Sequence, residues 1–147
     1  MIVTMQRPIE PPAPPVTESD RKVALVVEDD PDTRLRIRAI LRAEGWRVYQ
    51  AADAERGLIL ARECVPDVIL LDLALPRMSG LEMLRELKST RWADQPTPVV
   101  VVSAFAMLLR LPDLSLADAT VQKPFASGDL LEQLARAGAR RCHPVLA

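Results

Sequence analysis

Charged and hydroxyl side chains stand at or just after the ends of four apolar stretches of this chain. They are Glu28, Asp29, Asp72, Ser103 and Lys123. If the stretches are parallel strands of one sheet, their carboxyl ends lie at the same edge and the five side chains converge there. Three carboxylates packed together repel each other. A divalent cation among them relieves the repulsion, and oxygen ligands with open water positions favour Mg²⁺.

This set of groups is suited to phosphoryl transfer onto a carboxylate. Carboxylates form aspartyl phosphates, so Asp72 beside the metal is the predicted nucleophile. Transfer depends mainly on positioning and on neutralising the charge of the phosphoryl oxygens. Mg²⁺ would bind one oxygen, the Lys123 ammonium a second, and the Ser103 hydroxyl with nearby backbone N–H groups the third. Lys123 precedes Pro124, and a cis peptide bond there would help to aim the ammonium inward.

Each residue also has a simpler explanation when it is taken alone. An acidic run such as 28–30 is common at the start of a helix, and Asp72 could merely cap a loop. Ser103 is a small residue at a strand end, and an isolated lysine such as Lys123 is usually solvated. Their joint occurrence, in order at successive strand ends, favours a functional site over these explanations.

Apolar periodicity predicts the elements that would hold these residues. The run Val68 to Leu71 is continuous and is followed by turn residues, which is typical of a strand buried on both faces of a parallel sheet. The predicted strands cover 23–27, 47–51, 68–71, 99–103 and 119–123, and the predicted helices cover 31–44, 54–64, 80–90, 105–111 and 127–138. Such alternation predicts an α/β fold, a doubly wound five-stranded parallel sheet with helices on both faces.

Local signals mark the ends of several helices. Pro31 opens the first helix and Gly45 ends it, while Asp53 is predicted to cap the second. Ser127 or Asp129 is predicted to cap the last. The residues predicted to face the core are Leu35, Ile37, Ile40 and Leu41 in the first helix, and Leu58, Ile59 and Ala61 in the second.

Composition excludes several classes of protein. The chain has 147 residues, which favours a single domain, and a net charge of -1 with 3% aromatic residues, which argues against direct nucleic-acid binding. Cys64 and Cys142 are too few for a disulfide framework or a zinc site, so reduced thiols and a cytoplasmic location are expected. There is neither an apolar run of about 18 residues nor a signal-peptide pattern, so no membrane association is expected.

Three regions differ in character along the chain. Residues 1–20 contain five prolines and few residues that could form a core, so we expect a Pro-rich disordered segment. A proline-rich docking peptide is the alternative there. Residues 21–140 form the predicted domain, and residues 141–147 a short C-terminal tail.

Four motifs of this chain resemble the receiver domain of two-component response regulators. They are Val-Val-Glu-Asp-Asp at 26–30, Asp-Leu-Ala-Leu-Pro-Arg-Met-Ser-Gly at 72–80, Val-Ser-Ala at 102–104 and Lys-Pro-Phe at 123–125. The resemblance covers about residues 22–139. It implies a flavodoxin-like (βα)5 fold with strand order 2-1-3-4-5.

The same resemblance implies a role for each site residue. Asp72 would accept a phosphoryl group from a histidine kinase or a histidine phosphotransfer protein. Glu28, Asp29 and Asp72 would bind Mg²⁺ together with the backbone carbonyl of Ala74. Ser103 would be the switch hydroxyl, and Lys123 the salt-bridge partner of the phosphate.

The resemblance also implies a type of protein. It indicates a signalling switch or a phosphorelay intermediate that acts through protein–protein interaction. Such a protein assists its own phosphotransfer and dephosphorylation and is otherwise not an enzyme. A phosphatase of the haloacid-dehalogenase type also uses a strand-end aspartate and Mg²⁺, but that family requires an acid two residues later, where this chain has Ala74.

Some positions depart from the family pattern. Thr120 stands where the family usually has Tyr or Phe, which leaves a phosphorylation-independent interaction module as the alternative function. The segment that starts at Phe105 is unusually apolar. It either packs inward or forms a partner or homodimer face with the fifth strand and fifth helix. Ala74 and Phe105 each stand two residues after a site residue and cannot hydrogen-bond an attacking water, so slow autodephosphorylation is expected.

Overall fold

The computed structural model describes residues 21–110 and 116–141, with side chains as far as Gly138. Within these ranges, five strands alternate with five helices, as the apolar pattern predicts. The strands are β1 Val23–Val27, β2 Arg47–Ala51, β3 Val68–Leu71, β4 Val99–Ala104 and β5 Ala119–Lys123. The helices are α1 Pro31–Ala43, α2 Ala54–Cys64, α3 Gly80–Leu87, α4 Phe105–Leu108 and α5 Ser127–Arg141, and a 3-10 turn at Thr90–Trp92 follows α3.

All strand pairs in the sheet are parallel, in the order β2-β1-β3-β4-β5. This confirms the predicted doubly wound topology. Val27, the last residue of β1, pairs with Ala51 on one side and Leu71 on the other. These three strands therefore end at the same level, and the residues that follow them start side by side at one edge.

Hydrogen bonds continue past the strand ends at this edge. The Glu28 N–H donates to the Ala51 carbonyl at 3.0 Å, and the Asp72 N–H donates to the Val27 carbonyl at 3.0 Å. The backbones of both acids are thus fixed by the sheet itself. The register of the strands therefore determines the positions of Glu28 and Asp72.

The core consists of two layers, one on each face of the sheet. Alternate strand residues point to opposite faces, as the period of a strand requires. Leu25 and Leu71 pack with α2 and α3 on one face, and Val26 and Leu70 pack with α1 and α5 on the other. Every residue of β3 is buried, which confirms that its apolar run is a two-sided buried strand.

Side-chain caps begin three of the helices. Asp30 accepts from the Thr33 N–H at 3.2 Å, Asp53 accepts from the Arg56 N–H at 2.7 Å, and Ser79 accepts from the Glu82 N–H at 3.1 Å. The predicted cap at Asp53 is confirmed.

The cap predicted for α5 is wrong. The helix begins at Ser127, so Ser127 and Asp129 both lie in its first turn. The N–H groups of Asp129 and Leu130 donate to the Ala126 carbonyl, which places Ala126 at the helix start. A hydroxyl and a carboxylate in the sequence do not show by themselves which backbone turn they precede.

Two residues predicted to face the core are exposed instead. Leu35 in α1 is 51% exposed and Ile59 in α2 is 48% exposed. Each lies two positions from a buried residue, Ile37 in α1 and Gly57 in α2. Since 3.6 residues make one turn, positions two apart point to different sides of a helix.

Helix α4 is shorter than predicted and consists of a single turn. The sequence left two alternatives for its apolar residues, packing inward or forming an exposed partner face, and the structure contains both inward-packed and exposed residues. Met107 and Leu108 pack against the core. Phe105 and Leu109 are 56% and 69% exposed.

Several predictions fall outside the described residues. They concern the Pro-rich segment at 1–20, the last residue of the predicted fourth helix at 111 and most of the tail at 141–147. Among residues 21–110 and 116–141, none of the helices is long and apolar enough to cross a membrane.

Substitution of Gly80 tests how tightly α3 is packed against the site. A Cβ atom at Gly80 would lie 2.0 Å from the Asp72 carbonyl oxygen and 2.5 Å from the Leu73 Cα. Both atoms belong to the backbone and cannot turn away, so we expect Gly80→Ala to destabilise the protein by about 1–3 kcal/mol or more. Gly138→Ala is the control, because nothing lies within 4 Å of its Cβ.

Urea unfolding of both variants measures this difference. In the interior of α5, the control change is expected to be neutral or stabilising by up to about 1 kcal/mol, since alanine favours helix. Equal effects of the two substitutions would show that α3 is free to shift away from Asp72.

Candidate functional site

Side chains from the ends of the strands meet around Asp72 at the carboxyl edge of the sheet. The Ser103 hydroxyl donates to Asp72 Oδ1 at 2.7 Å, and the Lys123 ammonium donates to Oδ2 at 2.9 Å. The Ala74 N–H also donates to Oδ1, at 3.1 Å. Both oxygens of the predicted nucleophile are therefore held in a defined orientation.

Lys123 connects this carboxylate to a second one. Its Nζ atom lies 2.9 Å and 3.0 Å from the two carboxylate oxygens of Glu28, in addition to its bond with Asp72. The side chains of Glu28 and Asp72 are only 2% and 5% exposed, and that of Lys123 is 22% exposed. A buried carboxylate is costly unless it is paired. The ammonium therefore balances two acids that could not otherwise be buried together.

The three predicted metal ligands form one cluster. Carboxylate oxygens of Glu28, Asp29 and Asp72 all lie within 4.8 Å of one another, with Asp29 on the exposed side. The donor set consists only of oxygen, which fits a hard cation such as Mg²⁺ and not a soft metal. Ala74 joins the site through its N–H, and the role of its carbonyl as a ligand stays a prediction.

The pKa values of Glu28 and Asp72 shift in opposite directions, because one ammonium balances the charge of both acids. Burial, together with the neighbouring Asp72, raises the pKa of Glu28 from 4.5 to about 7. Burial alone would also raise the pKa of Asp72, but its hydrogen bonds with Glu28, Lys123, Ser103 and Ala74 outweigh burial and lower it. Burial would lower the pKa of Lys123, but its bonds to the two acids raise it. At neutral pH the site thus contains an ionised Asp72, a charged Lys123 and a Glu28 that readily holds a proton.

Two arginines on α1 bind backbone carbonyls next to the site, and neither contact could be predicted from the sequence. Arg34 Nη1 donates to the Glu28 carbonyl at 2.8 Å. Arg36 Nη2 donates to the Phe125 carbonyl at 2.7 Å, and its guanidinium carbon lies 4.7 Å from the centre of the Phe125 ring. In the sequence both arginines look like ordinary residues of a solvated helix face.

The remaining predicted positions lie around the edge. The Lys123-Pro124 peptide bond is cis, as predicted. Thr120 is half-buried on β5, where it pairs with Val101. Ala74 and Phe105, the residues expected to affect hydrolysis, are both exposed.

Comparison with known proteins gives one consistent family. The family model described as "Response regulator receiver domain" matches residues 24–135. The KDP operon transcriptional regulatory protein KdpE of Escherichia coli is 38% identical over 112 residues, which cover 75% of this chain and 48% of that protein. The DNA-binding response regulator MtrA of Mycolicibacterium smegmatis is 37% identical over 125 residues, which cover 82% of this chain and 52% of that protein. The chain thus spans about half the length of these curated relatives.

A solved structure of similar fold was determined with a ligand bound. The response regulator protein TrrA of Thermotoga maritima, crystallised in complex with Mg²⁺–BeF, has a TM-score of 0.70 and 27% sequence identity. The similarity covers 79% of this chain and 98% of that one. Its ligand is a property of that protein and bears on this chain only as a guide to experiment.

The raised pKa of Glu28 predicts how stability depends on pH without metal. The unfolded chain releases the Glu28 proton near pH 4.5, whereas the folded protein holds it up to about pH 7. Between these values the folded state binds more protons. Its free energy of unfolding should therefore fall as pH rises, by up to about 1.4 kcal/mol per pH unit.

Urea unfolding in EDTA, at several pH values between 4.5 and 7, measures this slope. Glu28→Gln is the control, because its amide does not titrate and its slope in this window should be smaller. The lowered pKa of Asp72 does not interfere, since its stabilisation is lost only at more acidic pH. A slope that is the same in both proteins would assign the dependence to other groups.

Proposed function

Since this chain belongs to the family of response regulator receiver domains, we propose that Asp72 is the acceptor of its phosphoryl group. The observation that carries this proposal is the geometry at Asp72, where Ser103, Lys123 and the Ala74 N–H hold both carboxylate oxygens at 2.7–3.1 Å. These donors are the groups that phosphoryl oxygens need after transfer. The donor protein is a histidine kinase or a histidine phosphotransfer protein.

In the proposed reaction, an ionised Asp72 oxygen attacks phosphorus. A P–O bond to Asp72 forms, and the bond between phosphorus and the donor's histidine nitrogen breaks. The lowered pKa of Asp72 favours this step because the nucleophile stays deprotonated at neutral pH. Lys123 and Ser103, which now bond the carboxylate oxygens, would then bind the phosphoryl oxygens.

Glu28, Asp29 and Asp72, with the Ala74 carbonyl, are proposed to hold Mg²⁺. When bound, the cation neutralises charge on a phosphoryl oxygen. Binding requires ionised Glu28, so the proton that this side chain holds up to about pH 7 is released. Deprotonation alone would strengthen the attraction of Glu28 for Lys123, but a bound cation would share the balance of charge on both acids with this ammonium.

The proposed output is binding to another protein, not catalysis. Phe105 and Leu109 are exposed apolar residues at α4, which contacts β5. We propose a face formed by α4, β5 and α5 for a homodimer or another protein partner. A module that acts without phosphorylation is less favoured, because all five site side chains are in place. The names of the relatives refer to transcription and DNA binding, but this chain spans only about half of their length.

Intact-mass measurement after incubation with Mg²⁺ and acetyl phosphate tests the acceptor. Wild type should gain one phosphoryl group, and EDTA should prevent the gain. Asp72→Asn should gain none, because the amide is a poor nucleophile but keeps the shape of the side chain. Asp94→Asn is the control, since Asp94 is 76% exposed and forms an ion pair with Arg62 at the surface. A phosphoryl group on Asp72→Asn would assign the acceptor elsewhere.

The lifetime of the phosphoprotein gives a second test. Neither Ala74 nor Phe105 offers a group that could orient an attacking water, so we expect slow autodephosphorylation. Ala74→Asn introduces a hydrogen-bonding amide at an exposed position and should shorten the half-life several-fold. The decay of phosphoprotein after removal of the donor measures both. A half-life of seconds for wild type contradicts this prediction without affecting the assignment of Asp72.

A further inference from the structure

Arg36 joins α1 to the segment that follows β5. The two residues in contact, Arg36 and Phe125, are 89 positions apart in the chain. The guanidinium donates to the Phe125 carbonyl at 2.7 Å and at the same time lies over the Phe125 ring at 4.7 Å. A charged donor makes a stronger hydrogen bond than a neutral one, and a cation over a ring adds further attraction. Both the backbone and the side chain of Phe125 are therefore held by one residue.

Phe125 lies close to Lys123 in the chain and is anchored in the core. It lies two residues after Lys123, between the end of β5 and the start of α5. The residue is 7% exposed and packs in the core layer that contains Ile37 of α1 and Leu130 of α5. Fixing its carbonyl therefore fixes the backbone from which the Lys123 side chain extends.

The metal ligands are held by a different set of contacts. Glu28 and Asp72 are bonded to the sheet through their own N–H groups, and Arg34 binds the Glu28 carbonyl at 2.8 Å. Arg34 and Arg36 are two positions apart on α1 and so project to different sides of it. Arg34 is thus bonded to the backbone of one of the acids, and Arg36 to the backbone two residues after Lys123.

We propose that Arg36 is a positioning residue for Lys123, which keeps the ammonium where it binds the oxygens of the phosphoryl group. This inference rests on the proposed function. The ammonium is carried on a flexible four-carbon side chain. Its mean position therefore depends on the position of the Lys123 backbone. A misplacement of about 1 Å is enough to weaken a contact of this kind strongly. The backbones of Glu28 and Asp72 are held by the sheet, so displacement of the ammonium should not weaken Mg²⁺ binding.

Two ligands distinguish the acids from the ammonium in experiment. Mg²⁺ alone, titrated by calorimetry, reports on the acids. BeF₃⁻ at saturating Mg²⁺, followed by ¹⁹F NMR, mimics the phosphoryl group and reports on Lys123 as well. The variant is Arg36→Met, which keeps the aliphatic stem and removes the guanidinium. Arg38→Met is the matched control, because it removes the same charge from another side of α1.

The expected result is a split between the two affinities. In Arg36→Met, the affinity for BeF₃⁻ should fall at least about threefold, while the affinity for Mg²⁺ stays the same or rises. Lys123→Met should show the same split in stronger form, and Arg38→Met should show neither change. If Arg36→Met is too unstable to titrate, Arg36→Lys carries the same expectation in milder form, since it keeps a cation but has a shorter reach.

Other outcomes overturn the inference. A proportional loss of both affinities, or no loss of either, would show that Arg36 contributes only to stability. If wild type binds both ligands and only the split is missing, Arg36 has no positioning role and the proposed function stands. If wild type binds neither Mg²⁺ nor BeF₃⁻, the proposed function fails and this inference fails with it.

Discussion

The position of one ammonium between two buried carboxylates is the constraint on which this site depends. Lys123 Nζ lies 2.9 Å from oxygens of both Glu28 and Asp72. One positive charge cannot fully balance two negative ones in a buried place. The imbalance appears as a pKa of about 7 for Glu28, whose proton supplies the missing positive charge. A cation that binds here can replace this proton as the source of positive charge. The exposed Asp29 provides a third carboxylate beside Glu28 and Asp72.

The sheet makes this arrangement from residues that are far apart in the chain. Lys123 is 95 positions from Glu28 and 51 from Asp72, and Ser103 is 31 from Asp72. The parallel strands of the sheet bring all four to one edge. Gly80 completes the packing, because α3 begins so close to Asp72 that a side chain there would overlap its backbone.

The sequence predicted those parts that depend on a strong local pattern. Four of the five strands have the predicted bounds, because buried strands such as Val68–Leu71 are continuous apolar runs between turn residues. Leu35 and Ile59 were assigned wrongly to the core because hydrophobicity alone does not tell which side of a helix a residue occupies. Arg34 and Arg36 could not be identified, because their partners are carbonyl groups that only the folded chain brings near.

The two sides of the site are held by different numbers of contacts, so they differ in how easily they can move. On one side, α1 binds the backbone after β1 through Arg34 and the backbone after β5 through Arg36. On the other side, Ser103 is followed by a single helical turn with Phe105 and Leu109 exposed. In the proposed reaction the Ser103 hydroxyl would turn from Asp72 to the phosphoryl group. The β4–α4 connection offers little resistance to such a movement, because α4 has no buried residue whereas α1 has two. The exposed apolar residues thus lie on the part of the edge that is easiest to rearrange.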